Sequence, residues 1–370
     1  MIAIRIITLT FLISLCQVTN STAQLDLEHI KNEITKIIDY DTEIDFKNTP
    51  GFAVAIIDGD TSMVFGFGSN HPEYETELDE QSIFEIGSVT KSFTASLVSV
   101  LDAEDFLSFD DKVNDHLPSA NKNPRLGDVT INDLLTHHSG LPKLPKYIGS
   151  KQKDPQNPYA DYTKTDLLDF YSSFIPDDKR EFIYSHVNYG LLEIIIESVT
   201  GSDYESAMNS FLLTPLGLNN TYIHKTEDSD SAITYGFDRA GRQTKNWDFA
   251  SFGASEGLKS NLNDLILFTR AHIGSTGSQL DFILAANHEP EVQTHYNDKI
   301  FAGKGWHIFD QKKNFNIITH SGKTYGHRAY ISFIKETKTA VIILSNSSVG
   351  TEDLGLLILR MINDNWKRKI

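Results

Sequence analysis

The sequence predicts an α+β protein, in which one antiparallel sheet is flanked by helices and interrupted by a large, mostly helical insertion. Three observations carry this. Two apolar, strand-like runs within 51–68 meet at Asp58-Gly59-Asp60, a hairpin composition. Three more strand-like runs, 315–322, 329–334 and 339–347, crowd the other end of the chain. Between the two blocks the pattern turns helical and looped. A hairpin and a distant meander make one sheet only if the chain returns to where it began. The middle is then an insertion, and a site is expected in the cleft between sheet and helices.

The elements follow in order. The first residues, MIAIRIITLTFLISLCQVTNSTAQ, hold one positive charge at Arg5, an apolar run from Ile6 to Leu15, and small residues at Ser21 and Ala23. This is the layout of a secretory signal peptide cleaved after Ala23, which makes the protein periplasmic or secreted. The run is short for a bilayer, and Leu15 before Cys16 does not suit a lipoprotein cleavage. The mature chain, 24–370, then has no cysteine, which excludes disulfides and thiol catalysis. Its length suits a single large catalytic domain. A net charge of -17 over 370 residues argues against a non-specific grip on nucleic acid or anionic lipid. No later run is apolar enough for stable membrane insertion.

Residues 26–40 have helical apolar spacing, and the hairpin follows. Helix candidates fall near 92–103, 130–136, 163–174, 187–199, 204–214 and 262–273, inside a helical region of about 90–290. Sheet material comes from about 50–70 and 300–370, and residues 351–369 read as a closing helix with basic residues at its end.

Three short pieces carry chemistry. Ser88 and Lys91 stand three apart at the head of an apolar helix, so their side chains share a face. A serine hydroxyl needs something to take its proton, and a lysine held neutral there can do so. Tyr184 and Ser185 precede a second apolar helix, where a tyrosine can act as base and proton carrier. His320-Ser321-Gly322 ends a strand. Gly322 permits close backbone approach, and the N–H of Lys323 can join that of Ser88 as an oxyanion hole. His320 and Ser321 can hydrogen-bond a substrate carboxylate. Taken singly, each piece also fits a plain role: a capping serine, a packed tyrosine, an edge-strand turn.

Together, Ser88-Val89-Thr90-Lys91, Tyr184-Ser185-His186 and His320-Ser321-Gly322 resemble the active-site set of the serine beta-lactamase and penicillin-binding protein superfamily. The class C beta-lactamase and D-alanyl-D-alanine carboxypeptidase branch is the nearest in pattern. The segments 51–56, 134–142, 215–223 and 257–268 resemble further landmarks in family order. The resemblance implies a beta-lactamase/transpeptidase-like fold and an acyl-enzyme on Ser88, with Lys91 and Tyr184 sharing the proton work. It also implies an oxyanion held by the backbone N–H groups of Ser88 and Lys323, and substrate contacts from His186, His320, Ser321 and Gly322. Two positions depart from the pattern. His186 stands where asparagine is usual, and His320 where lysine is common, so carboxylate recognition is expected to weaken or pass to Lys323 or Arg328.

The expected activity is a D-alanyl-D-alanine carboxypeptidase-like peptidase on peptidoglycan-type peptides. The alternatives are a beta-lactamase, an esterase or other small-peptide hydrolase, and an inactive binding protein. Substrates are accordingly a small peptide, a beta-lactam or an ester. No phosphate loop or dinucleotide fingerprint calls for a cofactor, and the order of His137, His138, His320 and His327 suggests loop scaffolding rather than a metal site. Trp306 reads as strand packing or a wall of the pocket.

Overall fold

The computed structural model describes residues 21–364, apart from 43, 47–48, 72–75, 178, 225–232 and 312–314. Residues 1–20 of the expected signal peptide and the basic end of the expected closing helix lie outside the described residues. The first described helix, α1, is Ser21–Asp41. No helix among the described residues is long and apolar enough to cross a membrane.

The hairpin forms as β1 (Gly51–Asp58) and β2 (Thr61–Gly68), closed by Gly59 at φ +59°. Later strands are β3 (Val292–Gln293), β4 (Ile300–Gly303), β5 (Trp306–Asp310), β6 (Asn316–Lys323), β7 (Arg328–Ile334) and β8 (Thr339–Ser345). They make one eight-stranded antiparallel sheet in the order β2-β1-β8-β7-β6-β5-β4-β3. The chain does return to its start, because Val54 of β1 lies opposite Ile343 of β8. Strands β3, β4 and β5 extend the sheet beyond the five strands expected; at two, four and five residues they are too short for a period of two to register.

The apolar runs of β1 and β8 are unbroken because both faces of the sheet are covered. Ala53, Ala55, Ile57, Ala340, Ile342 and Leu344 belong to the core shared with the helical insertion. Phe52, Val54, Ile56, Val341 and Ile343 belong to a second core with Ile34 and Ile38 of α1. Leu354 and Ile358 of the closing helix, Glu352–Asp364, complete that layer at i,i+4 spacing.

In the insertion, α2 (Thr90–Ala103) runs through the core with every residue from Thr90 to Leu101 buried. Around it lie α3 (Ile131–Leu135), α4 (Lys164–Ser173), α5 (His186–Thr200), α6 (Tyr204–Met208), α7 (Gly253–Glu256) and α8 (Leu262–Ile273), and Glu352–Asp364 becomes α9. Capping boxes at Thr130 with Asp133 and Thr163 with Asp166 start α3 and α4. The helix expected over 204–214 is interrupted. After α6 the chain widens into a π turn over Asn209–Leu213, just before Pro215, which has no N–H to return to a carbonyl four residues back.

Candidate active site

Ser88 sits on a 3-10 turn, Gly87–Val89, that runs straight into α2. Strand β6 crosses this turn at contact distance. A Cβ at Gly322 would lie 1.8 Å from the carbonyl oxygen of Ile86 and 3.0 Å from the backbone nitrogen of Ser88. One at Gly87, whose φ is +49°, would lie 2.6 Å from the nitrogen of Lys323. Only glycine at both positions allows that approach. It brings the backbone nitrogens of Ser88 and Lys323, named above as oxyanion donors, to one crevice. The turn after β6 is anchored by the buried His327, whose Nδ1 lies 3.2 Å from Glu85 on the strand leading into Ser88.

Lys91 follows one turn later and is fully buried. Its Nζ lies 3.1 Å from Ser88 Oγ, 3.1 Å from the Ser255 carbonyl oxygen and 2.5 Å from Glu256 Oε1. Glu256 was not foreseen. The landmark segment 257–268 begins one residue after it, and a single acidic residue among small neighbours carries no periodic signal. Its Oε1 also accepts from Ser88 Oγ at 2.5 Å and lies 2.9 Å from His186 Nδ1. The clue lay in His186 itself, since an imidazole in place of an amide asks for an acceptor.

The fold holds Glu256 there from both sides. Thr94 of α2 donates to the Ala254 carbonyl at 2.6 Å, and Thr90 Oγ1 accepts the Leu258 N–H at 3.1 Å. Burial opposes the Glu256 charge, yet Lys91 and His186 outweigh it and hold the carboxyl well below the usual range. Burial pulls Lys91 down, and Glu256 opposes that pull. His186 is pushed down by burial and by Lys91. As a neutral ring facing an acceptor-only carboxylate, it carries its hydrogen on Nδ1.

Tyr184 occupies the loop before α5. Ser185 fixes that loop: its N–H donates to His137 Nδ1 at 3.0 Å, its hydroxyl donates to the Pro142 carbonyl at 2.7 Å, and it caps α5 through the Asn188 N–H. Burial, with the Glu256 charge, raises the pKa of the Tyr184 hydroxyl far above the ordinary value, against an opposing pull from Ser88. Tyr184 is a phenol, not a tyrosinate. Lys91 Nζ lies 5.0 Å from the centre of its ring. Four imidazoles surround the same ring: His137 at 4.5 Å, His186 at 5.7 Å, His307 at 5.9 Å and His320 at 6.2 Å between centroids.

These rings are neutral. Burial pushes His307 down to about 4, and His137 and His320 well below their ordinary value. Unfolded, each titrates near about 6.5, so between the two values the unfolded chain binds more protons than the folded one. Stability is therefore complete above the unfolded value and falls as the pH drops through it, by about 1.4 kcal/mol per pH unit for each such histidine. Urea denaturation at about pH 7.5 and about pH 5.5 checks this, with a clearly lower midpoint at the acid value.

With His320 neutral and bonded at Nδ1 to the Ser321 carbonyl, 2.9 Å away, its ring brings no charge to a carboxylate. Arg328 is engaged by the Ser348 carbonyl at 3.0 Å and Glu352 at 2.8 Å. Lys323 stands exposed at the end of β6, on a cavity of about 560 Å³ that Arg239, Arg242, Trp247 and Tyr325 also line. Trp306 packs on Phe333 and Phe268, buried in the core away from that cavity. Among the described residues, no group of three or more histidine, cysteine or acidic side chains could hold a metal ion.

Comparison with known proteins places this chain in a family. A beta-lactamase from Providencia stuartii is 28% identical over 229 residues, 61% of this chain and 56% of its own length. The crystal structure of a beta-lactamase/D-alanine carboxypeptidase from Pseudomonas syringae superposes with a TM-score of 0.76, covering 90% of this chain and 99% of that one at 20% identity. The octameric penicillin-binding protein homologue from Pyrococcus abyssi gives 0.77 at 26% identity, covering 92% of this chain and 78% of that one. The sheet and its flanking helices are thus those of the beta-lactamase/transpeptidase fold. The beta-lactamase family profile matches residues 40–362, and the chain belongs to the beta-lactamase family, within the serine beta-lactamase and penicillin-binding protein superfamily.

Proposed function

We propose that this protein is an exported serine hydrolase that forms an acyl-enzyme on Ser88 and acts as a D-alanyl-D-alanine carboxypeptidase on small peptidoglycan-type peptides. The observation that carries the reading is the convergence on Ser88 Oγ of the buried Lys91 at 3.1 Å and Glu256 at 2.5 Å, beside two backbone nitrogens at the glycine crossing. The substrate carbonyl lies between the end of β6 and the Tyr184 loop, its oxygen toward the N–H groups of Ser88 and Lys323. Ser88 attacks, and its proton enters the Lys91, Tyr184 and Glu256 cluster. It leaves on the departing amine, and water then releases the acyl group. Donors fixed before the reaction supply most of the rate.

Lys323, with Arg239 at the same cavity, supports recognition of a substrate carboxylate on that side. This favours a peptide ending in a free carboxylate. A beta-lactamase is the second reading, favoured by the family and separated only by how fast the acyl-enzyme hydrolyses. An esterase is the third, because His186 stands where an amide is usual at the substrate-holding position.

One experiment sorts them. The purified protein is given an acylated peptide ending in D-Ala-D-Ala, a fluorescent penicillin and a small ester. Release of D-alanine with a penicillin adduct of long lifetime is the expected result. Rapid penicillin turnover assigns a beta-lactamase, and ester cleavage alone an esterase. A protein inert to all three is a binding protein.

A further inference from the structure

We propose that Glu256 is a catalytic residue whose carboxylate, rather than Lys91, takes the Ser88 proton as the acyl bond forms and returns it as that bond breaks. The assignment rests on the acyl-enzyme reading above and names its base. Hydrogen accounting on the four groups carries it. Ser88 has one hydroxyl hydrogen, and an ionised carboxylate can only accept. The short contact of 2.5 Å between Ser88 Oγ and Glu256 Oε1 therefore uses that hydrogen. The 3.1 Å contact between Lys91 Nζ and Ser88 Oγ then needs a hydrogen from the lysine. So do the contacts of Nζ with Glu256 Oε1 at 2.5 Å and with the Ser255 carbonyl at 3.1 Å. His186 Nδ1, 3.5 Å from Nζ, carries its own hydrogen and is not a fourth acceptor, so three acceptors take three N–H groups, which is an ammonium with no lone pair to offer. The base that touches the nucleophile in this arrangement is the carboxylate.

Lys91 and His186 make Glu256 a weak base at rest, and the oxyanion that forms as the proton moves offsets that cost. The cluster of Glu256 and Lys91 is neutral at rest and gains one positive charge when Glu256 is protonated, beside the oxyanion that forms at the same moment. The Lys91 ammonium stays 3.1 Å from Oγ and stabilises the negative oxygen as it develops. The His186 N–H, 2.9 Å from Oε1, keeps the carboxylate oriented.

The steps balance. In acylation Oγ bonds to the carbonyl carbon and its proton moves to Glu256. The bond from carbon to the leaving atom breaks, and that atom carries the proton away. Water then takes the vacated place, its oxygen bonds to the acyl carbon, and one of its protons moves to Glu256. When the bond from carbon to Oγ breaks, Oγ recovers that proton and the starting state is restored.

The test measures the rate of covalent labelling by a fluorophosphonate, read by intact mass, on the full-length chain. Wild type, Ser88→Ala, Glu256→Gln, Glu256→Asp and Glu256→Gly are compared, each with its thermal transition. Wild type labels and Ser88→Ala does not; a wild type that resists labelling removes the acyl-enzyme reading and this assignment with it. Glu256→Gln is expected to label at least about 100-fold slower while still folded, with Glu256→Asp between the two. A folded Glu256→Gln that labels at the wild-type rate leaves Ser88 as nucleophile and overturns Glu256 as base. Added formate should restore the rate of Glu256→Gly in proportion to its concentration, since the small carboxylate can enter the space the side chain leaves. A folded Glu256→Gly that labels slowly and ignores formate assigns Glu256 a structural role, also against the proposal.

Discussion

Ser88→Ala is expected to lower turnover of any acyl substrate by about 10⁴-fold or more and to leave the fold intact. Only a hydroxyl is lost, from a partly exposed turn, and Gly87, Gly322 and the start of α2 keep their packing. The Lys91 and Glu256 pair also survives, because its 2.5 Å contact does not pass through the serine. The thermal transition should therefore stay within a few degrees of wild type. Substrate binding should persist as well, so that a variant with no turnover still competes for the peptide in an equilibrium assay. A Ser88→Ala variant with substantial activity would place the nucleophile elsewhere.

Lys91→Met is expected to lower both stability and rate. Lys91 and Glu256 have side chains 0% and 2% exposed, so removing the cation leaves a buried carboxylate with only His186 and hydroxyl groups to hold it. Breaking such a pair costs about 3–5 kcal/mol, read as a lower denaturant midpoint. The Glu256 pKa should rise as its cation is lost, and the serine loses its ammonium neighbour, so acylation falls by about 10³-fold or more. The double variant Lys91→Met, Glu256→Gln removes the orphaned charge. It should regain much of the stability and none of the activity, a non-additivity that measures the coupling between the two side chains.

The strands and the motif turns were legible in the sequence because each writes a local pattern. The unbroken apolar runs of β1 and β8 record burial on two faces, and the Asp58-Gly59-Asp60 turn records the hairpin. The spacing of Ser88 and Lys91 survives as a direct contact, although Ser88 sits on a 3-10 turn rather than in the first turn of the helix. Glu256 was not legible, since its meaning comes from 165 residues of separation to Lys91, brought together by threonines on α2 that have no signature of their own. The same holds for the imidazoles around Tyr184. His307 lies on a strand and His137 in a loop, and only the folded sheet makes them neighbours. Strands β3, β4 and β5 escaped for a simpler reason, because two, four and five residues are too few for alternation to show.

The most direct measurement is the site of covalent attachment. The purified protein is mixed with a fluorescent penicillin and, separately, with a fluorophosphonate, then digested and mapped by mass spectrometry. The account predicts one adduct per chain in both cases, on the peptide that carries Ser88. An adduct on another serine, or none with either reagent, would contradict it.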